Sequence, residues 1–354
     1  MVYVVSGYGS AVLYGYSNTY IKAIESKLIN KTTMQNIINA KDIPSILLIL
    51  INTDYKKNLI DFGGLNIKLE LIDFALSKNF GEKINKLMNV TPLTKKNIMR
   101  QLIGKWDLYN IKLALEARHQ KKDFSLISKY LIDYGAYSSL VIKQTMQETN
   151  AIEDLLQKFT INSPYKNILQ QSLQLYKKNQ NILEINIGID KNYYENLSKL
   201  LFKMNNIDHN TYSIIKKEID MKNIISLLRA KKYNLNFNYL EKFIIENGNL
   251  DKEKLRSIFE KSSNVEDLVT QIKIFEIKSQ LNNYLKTNDL LYFEIKMKHI
   301  ILDTSSKLLK HTTLSFGSIY FYLYLKEIEV STIRLLLKAK QYNLDKQELS
   351  QLIQ

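Results

Sequence analysis

Few residues of this chain could do chemistry, and their spacing argues against it. There is no cysteine, which removes disulfides, thiolate-bound zinc and thiol nucleophiles. The four histidines are His119, His209, His299 and His311. None pairs with another at the four-residue helical step of a zinc helix. No G-x-S-x-G occurs, and no nucleophile stands beside an obvious base. The stretch SGYGSAVLYG from Ser6 carries two close glycines, but it lacks the G-K-S/T ending of a phosphate loop and follows no strand. It reads as part of a tyrosine-rich helix start. The carboxylates Asp107, Asp220 and Glu329 stand out because they recur. A catalytic acid is rarely needed three times in one chain. The recurrence predicts structural acids, acting as helix caps or inter-helix ion pairs.

The elements that carry these acids recur with them. WDLYNIKLALEARHQ from Trp106, EIDMKNIISLLRAKKYNL from Glu218 and KEIEVSTIRLLLKAKQYNL from Lys326 are versions of one segment. An offset of 113 sets Asp220 on Asp107, Asn223 on Asn110, Leu228 on Leu115 and Lys231 on Arg118. The same offset sets Gly248 on Gly135 and the VEDLV at Val265 on the IEDLL at Ile152. An offset of 109 places Glu329 on Asp220, Ile333 on Ile224, Lys340 on Lys231 and Tyr342-Asn343 on Tyr233-Asn234. A fainter copy, TYIKAIESKLI, begins at Thr19. Met221, Ile224, Ile225 and Leu228 fall at helical steps, so the repeated element is an amphipathic helix. The repeat of about 110 residues divides the chain into units 1–107, 108–220 and 221–354, the last with a closing C-terminal helix. Gly135 and Gly248 are expected as helix C-caps.

Three prolines in 354 residues leave room for long helices. The run ILEINIGI from Ile182 is the best alternating stretch, but its counterpart LELIDFAL at Leu69 reads as helix. The expected class is all-α. IPSILLILI from Ile43 is too short to span a membrane and reads as a buried helix. The apolar N-terminus has no basic leader region and makes a poor signal peptide.

The formal net charge is +15, with the densest basic segment between Lys95 and Lys122. Lys95, Lys96, Arg100 and Lys105 make a candidate docking face. Together with 23 tyrosines, the charge also permits a basic helical-repeat nucleic-acid binder. No RNA-binding module signature is present, and tyrosines lining helix interfaces are the simpler account.

Several stretches together resemble the C subunit of the archaeal and bacterial V-type or A-type ATPases, related to the eukaryotic d subunit. They are YGYSNTYIKAIESKLI near the start, LINTDYKK with Thr53, Asp54 and Tyr55, the two acidic-x-x-N-I helices, and the closing segment LSFGSIYFYLYLKEIEVSTIRLLLKAKQYNL from Leu314. The resemblance covers nearly the whole chain. It implies a funnel of three similar helical domains with pseudo-threefold symmetry, a non-catalytic rotor part without cofactor. It implies a wide mouth for the tip of a central stalk made by the D and F subunits. The other face would sit on the cytosolic loops of the membrane rotor ring, one copy per complex, cytoplasmic and peripheral to the membrane. Four positions depart from the family pattern: Tyr20, Ser331, Thr332 and Glu116. The residues expected to hold the repeats together are Asp107, Asn110 and Arg118; Asp220, Asn223, Arg229 and Lys231; and Glu329, Arg334 and Lys340.

Overall fold

The structure is a computed structural model of the chain and describes residues 2–64, 68–203, 209–272, 277–309 and 314–342. His311 and Asn343, singled out above, lie outside the described residues. Among those described there is no strand. The helices, in chain order, are α1 (Val2–Glu25), α2 (Lys31–Asn39), α3 (Ile43–Leu50), α4 (Lys56–Asp61), α5 (Leu69–Val90), α6 (Lys96–His119), α7 (Phe124–Ser128), α8 (Ser139–Glu148), α9 (Ile152–Thr160), α10 (Lys166–Asn179), α11 (Ile182–Lys203), α12 (His209–Lys232), α13 (Phe237–Glu241), α14 (Lys252–Glu260), α15 (Val265–Gln271), α16 (Lys278–Thr287), α17 (Leu290–Leu309) and α18 (Phe316–Gln341). The all-α expectation is met.

Local chemistry explains the starts of these helices. Asp42 caps α3 by accepting from the Ser45 N–H at 2.9 Å, and Pro44 sits in the first turn, where its missing N–H costs nothing. Ile46, Leu47 and Leu50 then turn into the core. The alternating run at Ile182 starts α11 because Asn181 accepts from the Leu183 and Glu184 N–H groups. Its Ile185 and Ile189 are both fully buried and four residues apart, so the helical period fits the core better than the strand period. Asn264 caps α15 by accepting from the Asp267 N–H.

The chain forms two compact units, residues 1–189 with 318–354, and residues 190–317. The first is built around α6. Ile111, Ala114 and Leu115 on this helix are wholly buried, and Phe80 of α5 meets Trp106 edge-on at 5.1 Å. Each buried Leu or Ile contributes about 1.5–3 kcal/mol. The second is built around α12, whose Leu227 and Leu228 are wholly buried.

Each central helix also carries two buried polar residues that serve a stretch of irregular backbone. In the first unit the chain from Leu131 to Ser138 is neither helix nor strand. Its N–H and C=O groups need partners where they are buried. The Asn110 amide donates to the Ile132 carbonyl at 2.7 Å and the Tyr137 carbonyl at 2.9 Å, while its oxygen accepts from the Ile132 N–H. The Asp107 carboxylate accepts from the Ala136 N–H at 3.2 Å, the Tyr137 N–H at 3.0 Å and the Tyr165 hydroxyl at 2.8 Å. In the second unit, Asn223 makes the matching pair of bonds with the Ile245 backbone. Asp220 accepts from the Asn249 N–H at 2.9 Å, the Leu250 N–H at 3.0 Å and the Asn249 side chain at 2.8 Å. Asn249 thus takes the place of the tyrosine.

Two sequence expectations are corrected here. Asp107 and Asp220 lie in helix interiors, not at caps, because α6 and α12 begin about three turns upstream of them. Gly135 and Gly248 do not cap helices; they let the loop approach the acid. A Cβ at Gly135 would come within 2.3 Å of an Asp107 carboxylate oxygen, and one at Gly248 within 2.3 Å of Asp220 Oδ1. Gly135 also has a φ of 84°.

The steric overlap gives a direct test. Gly135→Ala should lower the unfolding free energy by more than about 2 kcal/mol in urea titration, since it adds positive-φ strain of roughly 1–2 kcal/mol to the clash. Gly15→Ala, in α1 with nothing within 4 Å of the new methyl, should raise it by up to about 1 kcal/mol. Equal stability of the Gly135 variant and the parent would contradict the contact.

Candidate functional site

The residues expected to form a docking face lie where α5 passes into α6 through a 3₁₀ turn at Leu93–Lys95. Lys96 and Arg100 are four residues apart on one face of α6. Lys95 is half-buried, and desolvation pushes its ammonium below its ordinary value. Leu93 projects from the turn at 83% exposure. The Ser17 hydroxyl of α1 donates to the Val90 carbonyl at 2.5 Å, which ties α1 to the end of α5. The exposed Val12 and Tyr16 of α1 therefore belong to the same end of the unit as Leu93.

Lys105 does not share that freedom. Its ammonium pairs with Glu327 at 2.6 Å and lies over the Trp106 ring at 4.6 Å. It joins α6 to α18 and has only 17% of its side chain exposed. Sequence spacing groups it with Lys96 and Arg100; tertiary packing gives it an internal partner.

The third recurrent acid is the centre of a different arrangement. Glu329 of α18 accepts from the Ile29 N–H at 2.6 Å, from the Tyr55 hydroxyl at 2.7 Å and from the Lys326 ammonium at 2.7 Å. The amide it serves lies 300 residues upstream. Tyr55 thus does for Glu329 what Tyr165 does for Asp107. Thr332, also buried, stands where the earlier copies have Asn110 and Asn223. Lys326 has no exposed surface and also faces Asp54 at 3.9 Å, which in turn pairs with Lys83 at 2.5 Å. Its ammonium lies 4.0 Å from the Tyr55 ring centroid. Two cations and two carboxylates balance. Burial pushes the Lys326 ammonium below its ordinary value, against the pull of Glu329 and Asp54. Burial and then Glu329 push the Tyr55 phenol well above its own, so it stays a donor.

The remaining repeat residues serve separate local contacts. Arg118 donates to the Met146 carbonyl, Arg229 pairs with Glu294, and Lys231 lies over the Phe259 ring at 4.1 Å. Arg334 pairs with Asp73 at 3.3 Å and donates to the Ser77 hydroxyl. Lys340 is half-buried on α18. Of the departures from the family pattern, Glu116 accepts from Asn186 at 2.7 Å and Ser331 donates back to the Glu327 carbonyl. Sequence reasoning missed Lys326, Asp54, Lys83 and Glu327 as partners. The T-D-Y turn and the K-E-x-E run are visible as motifs, but nothing in their spacing links residues so far apart. No group of three or more histidines or carboxylates among the described residues could hold a metal ion.

Two outcomes follow. Lys326→Met should cost about 3 kcal/mol of stability, because it strips one partner from a buried charge set; a loss under about 1 kcal/mol would contradict it. Asp220 gives a pH signature. Burial raises its carboxyl above the ordinary value, with the loop donors opposing. A raised carboxyl contributes stability that is full below the unfolded value and lost as pH rises through the folded one. Asn at this position removes that dependence. The melting-temperature advantage of the parent over Asp220→Asn should therefore grow as pH falls from 7 toward 4, and a shrinking advantage would refute the sign.

Comparisons with known proteins agree along the length of the chain. The family model described as ATP synthase (C/AC39) subunit matches residues 17–352. The C subunit of the A-type ATP synthase of Methanosphaera stadtmanae is 24% identical over 337 residues, covering 93% of this chain and 84% of the relative. That of Pyrococcus abyssi is 24% identical over 354 residues, covering 96% and 90%, and that of Thermoplasma acidophilum is 21% identical over 335 residues, covering 90% and 92%. Matched from residue 17 through its closing helix, the chain belongs to the ATP synthase (C/AC39) subunit family.

Proposed function

We propose that this chain is the non-catalytic central-stalk subunit of a rotary A/V-type ATPase, a socket that couples a D–F rotor shaft to the membrane rotor ring during ion transport or ATP synthesis. Its relatives are named as subunits of an A-type ATP synthase, and they match over more than four-fifths of their own length. The observation that carries the socket role is the tie between α18 and the N-terminal segment through Glu329. A part that passes torque must resist being pulled open, and a buried, charge-balanced set joining residues 29, 55 and 329 gives that resistance. No catalytic constellation is needed for such a role, and no cofactor.

On this reading the units 1–107, 108–220 and 221–354 are copies of one helical element around a common axis. The shared geometry of the Asp107 and Asp220 loops, at one offset of 113 residues, supports the duplication. The third acid finds its loop at the N-terminus, which supports a closed set. The protein would work at the cytosolic face of the membrane, one copy per complex. No helix among the described residues is long and apolar enough to cross a bilayer. Lys95, Lys96 and Arg100, with Leu93 beside them, would meet acidic partner loops or anionic headgroups. Lys105 is left out because Glu327 holds it.

Native mass spectrometry tests this. The chain should form a one-to-one complex with the D–F pair and capture detergent-solubilised rotor ring. Neutralising Lys95, Lys96 and Arg100 together should weaken one of these contacts and flatten its salt dependence. No binding to either partner at low and moderate salt would overturn the socket. Steeply salt-dependent binding to generic RNA or DNA with a defined footprint would then favour the nucleic-acid alternative that the +15 charge permits.

A further inference from the structure

A cavity of about 270 Å³ opens between α5, the end of α7 and the last turns of α18. Asp73, Lys129, Tyr130, Arg334, Lys338 and Tyr342 line it. Three cations thus surround one small space with a single carboxylate. That carboxylate is already engaged: Asp73 lies 3.3 Å from Arg334, so the pair is close to neutral. Lys129 and Lys338 are the surplus. Among the described residues no carboxylate stands within ion-pair distance of either. Both ammoniums lie 5.3 Å from the centroid of the same Tyr130 ring, which also lines the cavity. Asp73 attracts both lysines as well as Arg334, but one carboxylate against three cations leaves two positive charges in excess. An anion in the cavity would offset them.

We propose that this cavity is a binding site for a compact phosphate group, either inorganic phosphate or the head of a phosphomonoester. Two ammoniums suit a doubly charged tetrahedral anion, since ammoniums act as point charges with freely turning donors. A monocarboxylate would satisfy only half the surplus. The volume admits one phosphate with a small substituent, and exposed Tyr342 at the rim offers a ring for the substituent to lie on. The site is independent of the docking face and of the socket reading, because it uses none of the same basic residues.

Isothermal titration calorimetry on the full chain at constant ionic strength tests it, with inorganic phosphate, glycerol phosphate and acetate in separate runs. Saturable binding of phosphate, with acetate silent, is expected. Lys338→Gln, an exposed change on a helix surface, and Lys129→Gln should each weaken it roughly tenfold, the value of one charge-assisted contact. Thermal melts run alongside should show both variants folded. Binding of both phosphates assigns the site to phosphomonoesters, and binding of inorganic phosphate alone assigns it to the free ion. No saturable heat with phosphate, equal binding of acetate, or phosphate affinity unchanged in Lys338→Gln overturns the proposal.

Discussion

Irregular backbone cannot be buried without hydrogen-bond partners. That constraint accounts for the residues this chain repeats. Between α7 and α8, and again between α13 and α14, the chain runs through buried positions without forming its own ladder. A carboxylate and an amide on the neighbouring long helix receive the loose N–H groups. Each donor left unsatisfied would cost about 1–3 kcal/mol. Asp107 with Asn110, and Asp220 with Asn223, meet this demand in the same geometry. The glycines opposite the acids are fixed by the same contacts, since any side chain would displace the carboxylate.

The third acid carries a larger load. Glu329 serves an amide near the start of the chain and is set among buried Tyr55, Lys326 and Lys83 and partly buried Asp54. Where the first two acids take neutral donors, this one also takes a cation. A buried ammonium is costly, and its depressed affinity for protons reports that cost. The two carboxylates and two ammoniums together remove the net charge. The result is a strong tie between the two ends of the sequence within one unit.

Much of this is legible in the sequence. The helical class follows from the scarcity of proline and the three- and four-residue apolar steps. Several anchors at one offset point to a duplication, and the acid and amide among them, Asp107 with Asn110 and Asp220 with Asn223, make equivalent hydrogen bonds. The acids are recognisable as structural. Their manner of action is not legible, because a cap and a mid-helix acceptor both place an acid near an apolar stripe. The glycines mislead for a related reason: a glycine after a helical pattern suits a C-cap, and only tertiary contact reveals a close approach. Lys105 looks like its basic neighbours until Glu327, 222 residues away, claims it. The cavity beside Tyr130 is invisible in the sequence, since its wall comes from three helices far apart along the chain.

The central claim is that recurrent acids hold loop amides as firmly as helices hold their own. Native-state hydrogen exchange at the Ile29, Tyr137 and Leu250 amides reads this directly. These amides lie outside regular helices, yet the account predicts exchange as slow as in the buried cores of α6 and α12, limited by opening of the whole unit. Exchange at the rate of exposed loops, at any of the three, would show that the acid at that position does not hold the chain.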